Sequence, residues 1–388
     1  MANDLRILEA ALGVLRSDGY DGLGMSHVAR AAGLNSTGAL YGRFENVAEM
    51  AVWIWTERAS SALRSASERA LALLERAEID DAALAEGQAV AALLTSPPDD
   101  LRAAFELLAV APRVEELDEV VRPDVEALVA EAGGLPDAGD RRRAQVLGQL
   151  ALAWGIGLVS LPGTGPEHAW WMALVGSVGL AHDRTRLRKA GAPVPVVSPS
   201  PSTGEPVRDV VLDAAASVVS RTGFERATVS RIARRAGYST GVIYEYYDRK
   251  DDMIAELVEV LLDQLYTSIA ERDGELIAEG RLADLSGSLL AAYVQPEARS
   301  LQRLKVELYV AAAHQPAIAE ALGHVLAHMG GIVQSRLEAT GLSPDEAALA
   351  PAAGRAIDHG IALVEATAGP LVDVDWRYYI QPLVSRNT

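Results

Sequence analysis

Apolar residues recur along this chain with helical spacing. Val229, Ile232, Ala233 and Ala236 stand at i, i+3, i+4 and i+7, one stripe on a short helix. Met253, Ile254, Leu257, Val258, Leu261 and Leu262 form a similar stripe further on. Long Ala/Leu/Val-rich segments repeat this period elsewhere, and no run alternates as a half-buried strand would. The pattern predicts an all-α protein.

The pattern also occurs twice. Ile7-Leu8-Glu9-Ala10-Ala11 matches Val211-Leu212-Asp213-Ala214-Ala215, Gly19-Tyr20 matches Gly223-Phe224, and Ala32-Gly33 matches Ala236-Gly237. After one extra residue in the first copy, Ser36-Thr37-Gly38 matches Ser239-Thr240-Gly241, and Tyr41 and Phe44 match Tyr244 and Tyr247. Far downstream, Trp154-Gly155-Ile156-Gly157-Leu158 aligns with His359-Gly360-Ile361-Ala362-Leu363. A repeat reaching both ends of each half implies duplication of a whole protein. The Pro/Ser-rich stretch 190–205 reads as an extended, semi-rigid linker. The expected organisation is a head at 1–50, a helical regulatory domain at 51–189, the linker, a second head at 206–253 and a second regulatory domain at 254–388.

Within the second copy, Thr228 precedes the stripe as an N-cap, and Gly237 ends the helix where a left-handed residue is needed. Ser239 then caps a second short helix through Gly241, Ile243 and Tyr247. Two short helices joined by a glycine-containing turn make a helix-turn-helix, whose second helix can enter a major groove.

These residues resemble the TetR/AcrR family of transcriptional regulators. Gly223-Phe224, Thr228, Ile232-Ala233, Ala236-Gly237, Ser239-Thr240-Gly241, Tyr244 and Lys250 stand at the family's places, with Tyr247 where it has Phe. The resemblance implies two tandem units, each a three-helix head on a helical ligand-binding and dimerisation domain, paired as an intramolecular pseudo-dimer. It implies that Thr228, Tyr244 and Lys250 contact phosphates while Thr240, Gly241, Val242 and Glu245 face base edges, with Arg231 and Ser239 completing the set. Hydroxyls and an ammonium at helix starts suit that role, because backbone N–H groups there already favour anions. The other reading of the aromatics is that Tyr244 and Tyr247 plug the head's small core; it is taken for Tyr247 and not for Tyr244.

Charge separates the two heads. The formal net charge of -18 alone argues against a polyanionic partner. Yet Arg221, Arg226, Arg231, Arg234, Arg235, Arg249 and Lys250 outnumber Glu225, Glu245 and Asp248 around the second motif. Around the first, Arg30 and Arg43 face Asp18, Asp21 and Glu45, Val47 replaces the lysine, and Gly24 replaces the capping threonine. Ser36, Thr37, Gly38, Tyr41 and Arg43 are therefore expected to give auxiliary DNA contact only.

In the regulatory domains the resemblance implies a small, largely apolar effector that shifts the spacing of the heads. Phe105 and Trp154 in the first half, and Tyr293, Tyr309 and His314 in the second, are the candidate pocket residues, with ordinary core packing as the alternative. The uncharged run Ala144–Leu161, followed by Ala169–Ala181, reads as a buried interface rather than a membrane hairpin, being interrupted by Gln145 and Gln149. His324 and His328 stand four apart on a helix but lack a third ligand, so no metal is expected. No cysteine, nucleotide loop or catalytic elbow is present, so neither enzyme activity nor a cofactor is expected. The expected function is a cytoplasmic repressor, monomeric or further dimerised, bound to a double-stranded operator. The alternative is a ligand sensor or interaction scaffold whose heads have lost DNA binding.

Overall fold

The computed structural model describes residues 2–133, 139–163, 167–184, 186–187, 199–278, 290–339 and 341–386, and all regular structure among them is helical. The first half opens with α1 (Ala2–Gly22), α2 (Met25–Ala31), α3 (Gly38–Tyr41) and α4 (Val47–Ile54). A π-helical turn, Trp55–Ala59, leads α4 into α5 (Ser60–Glu75). Then come α6 (Asp81–Thr95), α7 (Asp99–Val110), α8 (Glu115–Gly133), α9 (Asp140–Ser160) and α10 (Glu167–Gly176).

The second half repeats the order with α11 (Pro206–Thr222), α12 (Val229–Ala236), α13 (Thr240–Tyr244) and α14 (Lys250–Leu257). A π-helical turn recurs at the matching place, Val258–Leu262, before α15 (Asp263–Ala278). The chain then forms α16 (Arg299–Ala312), α17 (Pro316–Glu338), α18 (Pro344–Ala368) and α19 (Arg377–Arg386). Residues 190–198 of the expected linker lie outside the described residues; residues 199–205 run without helix into α11.

The halves share one hydrophobic core, and its most extensive helix pair is α9 against α18. The uncharged run of α9 explains this: residues 144–160 are all buried. Its polar groups are satisfied internally. Gln145 Nε2 donates to Leu180 O at 2.6 Å, and Gln149 Nε2 donates to Ala70 O at 2.9 Å. Gln149 Oε1 accepts from the hydroxyl of Tyr379, on α19 of the other half, at 2.9 Å. No helix among the described residues is long and apolar enough to cross a membrane.

Two glycines set how closely α9 and α18 approach. A Cβ on Gly155 would fall inside the van der Waals shell of the Ala356 carbonyl oxygen, and one on Gly360 would meet the Ala151 oxygen in the same way. These are the same two contacts, exchanged between the halves by the repeat. Further along α9, the Tyr379 ring lies flat on Gly148, where any side chain would displace it.

A methyl group added here must separate two backbones, which no rotamer change can relieve. Gly155→Ala and Gly360→Ala are each expected to lower the unfolding free energy by about 3 kcal/mol, at the upper end of overpacking costs. Denaturant titration of the full chain measures this, and losses below about 0.5 kcal/mol would contradict the close approach.

Candidate nucleic-acid interface

In the second head, Thr228 has extended backbone angles (φ -70°, ψ 149°) and its hydroxyl accepts from Arg231 N at 3.3 Å. That bond starts α12, which buries Ile232 and Ala233 and leaves Arg231, Arg234 and Arg235 in solvent. Gly237 (φ 77°) closes the helix, and the Tyr238 N–H reaches back to Ala233 O at 3.0 Å. Ser239 occupies the N-cap position of α13, but its side chain makes no capping bond, which corrects the capping role expected of it. The hydroxyl is left exposed beside Thr240 and Gly241.

α13 is anchored by Ile243, and Tyr247 just beyond it is 6% exposed. Tyr244, between these anchors in sequence, is 57% exposed. Thr240, Gly241, Tyr244 and Glu245 therefore form an outward face, with Val242 half-buried at its side.

Two expected phosphate-binding cations are already engaged. Lys250 Nζ donates to Phe224 O at 3.0 Å, sits 3.7 Å above the Phe224 ring centroid and lies 3.5 Å from Glu225. It ties α14 to the turn after α11. Arg231 donates one guanidinium N–H to Arg226 O at 3.0 Å. Arg234 and Arg235, absent from the expected set, are exposed and make no ion pair among the described residues. Their place on the solvent face of α12, opposite Ile232 and Ala233, was the available signal.

The first head keeps the framework with less polar equipment. α2 follows Gly24, which brings no capping side chain, and residues 32–37 separate α2 from α3 where 237–239 suffice in the second copy. Thr37 rather than Ser36 precedes α3, in helical conformation and without a side-chain cap bond. Tyr41 is 61% exposed, as its counterpart Tyr244 is, and Ser36 and Gly38 are also in solvent. Arg43, expected to reach DNA, is ion-paired to Asp4 and stacked 4.3 Å from the Trp53 ring centroid. Its guanidinium serves the head's own packing.

Each head is gripped by the other half at a left-handed glycine near the end of its first helix, Gly19 within α1 and Gly223 just after α11. Gly19 (φ 73°) and Gly223 (φ 76°) both need the left-handed region, and both are tightly covered. A Cβ on Gly19 would meet Glu106 and His314; one on Gly223 would meet Arg113. Arg113 Nε donates to Glu307 Oε1 at 2.9 Å, while its terminal nitrogen donates to Asp21 at 3.0 Å. Reciprocally, His314 Nε2 lies 3.1 Å from Glu106 Oε2, and Glu106 Oε1 accepts from Tyr20 N at 2.5 Å. Burial pushes Glu307 up to about 7 despite the adjacent Arg113 guanidinium.

The five candidate pocket residues are not brought together. Phe105 and Trp154 are packed into the core, the Phe105 ring against Gly157 and Trp154 Nε1 donating to Ser67 Oγ at 2.9 Å. Both side chains are thus engaged in packing, the alternative given for them. His314 belongs to the crossed bridge instead. Tyr309 meets the His359 ring edge-on with centroids 4.6 Å apart, and Tyr293 lies under Lys305 Nζ at 5.1 Å. Lys305 is buried in an ion pair with Asp358, which also accepts from Gln302 Nε2 at 2.8 Å. Burial holds the neighbouring His359 down to about 4, so the ring is neutral at ordinary pH. His324 and His328 recruit no third group: no three His, Asp or Glu among the described residues could hold a metal.

Each head pairs two short helices across a tight turn, the arrangement of a helix-turn-helix. The model of the tetR family of bacterial regulatory proteins matches the chain twice, at residues 7–52 and 211–257. The chain is similar to the fatty acid metabolism regulator protein of Bacillus subtilis, 33% identical over 61 residues, 16% of this chain and 31% of that one. It is similar to the HTH-type transcriptional regulator BetI of Vibrio campbellii, 35% identical over 69 residues, 18% of this chain and 35% of that one. The matched segment thus spans about a third of the length of these curated relatives. A solved TetR-family regulator from Rhodococcus sp. aligns at a TM-score of 0.38 and 18% identity, covering 47% of this chain and 100% of that one.

A buried acid whose folded pKa is raised stabilises the fold below its unfolded pKa, and that stability is lost as pH rises through the folded value. With Glu307 at about 7, wild type should gain about 2 kcal/mol on Glu307→Gln between pH 8 and pH 5.5. His359 titrates in both proteins and cancels from the difference. Paired denaturant titrations measure it, and a difference independent of pH would remove Glu307 from the account.

Proposed function

We propose that this chain is a sequence-specific DNA-binding regulator, acting as a repressor, whose two halves pair within one chain and whose second head supplies the main operator contact. The observation that carries this reading is the face of α13: Thr240, Gly241, Tyr244 and Glu245 stand in solvent while Ile243 and Tyr247 are buried beneath. That face is flanked by the uncommitted guanidinium groups of Arg234 and Arg235. A small core that holds a polar ridge outward suits a recognition helix in a major groove. The pairing rests on the exchanged glycine contacts of α9 and α18, which give one chain the two heads that a palindrome reader needs. Unequal heads then imply an asymmetric operator.

The effector enters this reading through the second half. There the hydroxyls of Tyr266 and Tyr309 and the Nε2 of His359 are buried without a hydrogen-bond partner among the described residues. Buried polar atoms favour a ligand that carries hydrogen-bonding groups over the largely apolar one expected. The regulator would work in the cytoplasm, and no enzyme activity is assigned to it.

A salt-titrated mobility-shift assay on the DNA flanking its own gene tests the reading. Wild type should shift a specific fragment with a steep salt dependence. Tyr244→Ala should abolish the specific shift, and Tyr41→Ala should weaken it by less than about tenfold, in keeping with one auxiliary contact. Equal losses would sink the inequality of the heads. A wild-type chain with no salt-dependent binding would favour the scaffold alternative.

A further inference from the structure

Between the halves, against the end of α11, lies a half-open cavity of about 250 Å³. Its walls include Arg113 and Arg122 from the first half, Arg221 from the last turn of α11, and Arg299 and Arg303 from α16. Glu307 and Glu365 are the carboxylates facing it. In a chain of net charge -18, this cavity concentrates guanidinium groups.

These cations are not equally committed. Arg113 is held by Glu307 and Asp21, and Arg122 reaches Asp118 with two nitrogens at 3.0 and 2.7 Å. Arg221 folds back on Ser217 O at 2.9 Å. Arg299 approaches Glu365 only to 3.5 Å, and Arg303 makes no ion pair among the described residues. Gln302, 4% exposed, lines the same wall, its Nε2 fixed by Asp358. The cavity thus offers cationic donors, two of which lack a close carboxylate partner.

The matching place in the first half is closed. Glu106-Leu107-Leu108 of α7 corresponds to Glu307-Leu308-Tyr309 of α16, which sets Phe105 opposite Val306, Pro98 opposite Arg299 and Arg102 opposite Arg303. The Phe105 ring fills the space beside Gly157, and Arg102 donates to Leu161 O at 3.2 Å. In the second half the ring has shrunk to valine and an arginine has been added. Both changes open the same place and make it cationic.

We propose that this cavity is a binding site for a small anion carrying a carboxylate or phosphate group, held chiefly by Arg299 and Arg303. Guanidinium groups bind both chemistries through paired, charge-assisted hydrogen bonds. Because Ser220 and Arg221 belong to the last turn of α11, the occupied site also ties the second head to α8 and α16. That consequence rests on the regulator reading above; the binding does not.

Isothermal titration calorimetry of the full chain, without DNA and at constant ionic strength, tests the site with inorganic phosphate and with citrate. At least one should bind saturably at one site per chain. Response to phosphate alone assigns a phosphate-bearing ligand, and response to citrate alone a carboxylate. R299Q/R303Q should weaken that binding at least about tenfold. Val306→Phe, which restores the ring of the first half, should abolish it with every charge in place. Arg303 is exposed, so R303Q keeps the test valid should Val306→Phe fail to fold. No saturable binding of either probe, or binding undiminished in R299Q/R303Q, would overturn the proposal. Intact anion binding in a chain that ignores DNA would remove the regulator reading and leave the site standing.

Discussion

The approach of α9 to α18 is the constraint on which the rest of the molecule depends. At Gly155 and Gly360 each helix rests on the backbone of the other, with no side chain to act as a spacer. Such contacts fix distance and register together, since helix backbones deform far less readily than rotamers. From this seam the bodies extend outward to the heads, and α7 and α16 carry its geometry to the two turns at Gly19 and Gly223. There the crossed pairs, Arg113 with Glu307 and His314 with Glu106, join the two bodies beside the heads. Arg113 and Glu106 in turn bind Asp21 and the Tyr20 N–H, which ties the first head to the paired bodies.

The scaffold is repeated faithfully while the chemistry attached to it is not. Both halves keep the exchanged glycines, the π-helical turn after the fourth helix and the left-handed glycine near the end of the first. Arg113 stands opposite His314, Thr228 opposite Gly24 and Phe105 opposite Val306. The retained residues touch backbone or core, where overpacking and cavities are costly. The divergent ones change a cap, an ion pair or the size of a ring, and leave the backbone contacts of the seam untouched.

Much of this was legible in the sequence, for local reasons. Helical periodicity, the Thr228 cap and the left-handed Gly237 are set by neighbouring residues, and the aromatic place that Tyr247 holds in the family resemblance put that ring in the core. Apart from the bond of Arg231 to Arg226 O, the contacts that were not legible are long-range. Lys250 and Arg43 read as free cations because Phe224 and Asp4, which engage them, lie far away in sequence. Phe105 read as a pocket residue because nothing local says that Gly157 receives its ring. The crossed bridge left a faint trace in the match of Glu106 with Glu307, but identical residues at repeated positions do not reveal which half they face.

Fusion explains why such inequality is possible at all. In a dimer of identical chains every substitution appears twice, at places related by symmetry, so a cavity opened beside one α16 opens beside both. Within one chain, Val306 can open one site while Phe105 keeps the other closed, and the seam between α9 and α18 is indifferent to the difference. The same holds for the heads. The first can lose its cap and commit Arg43 to Asp4 and Trp53 while still serving as a packing partner, because what the second half takes from the first is Asp21, 3.7 Å from Arg226, and Glu106, beside His314. A half that is needed for its backbone and two carboxylates is thereby released from the chemistry of the ridge on α13.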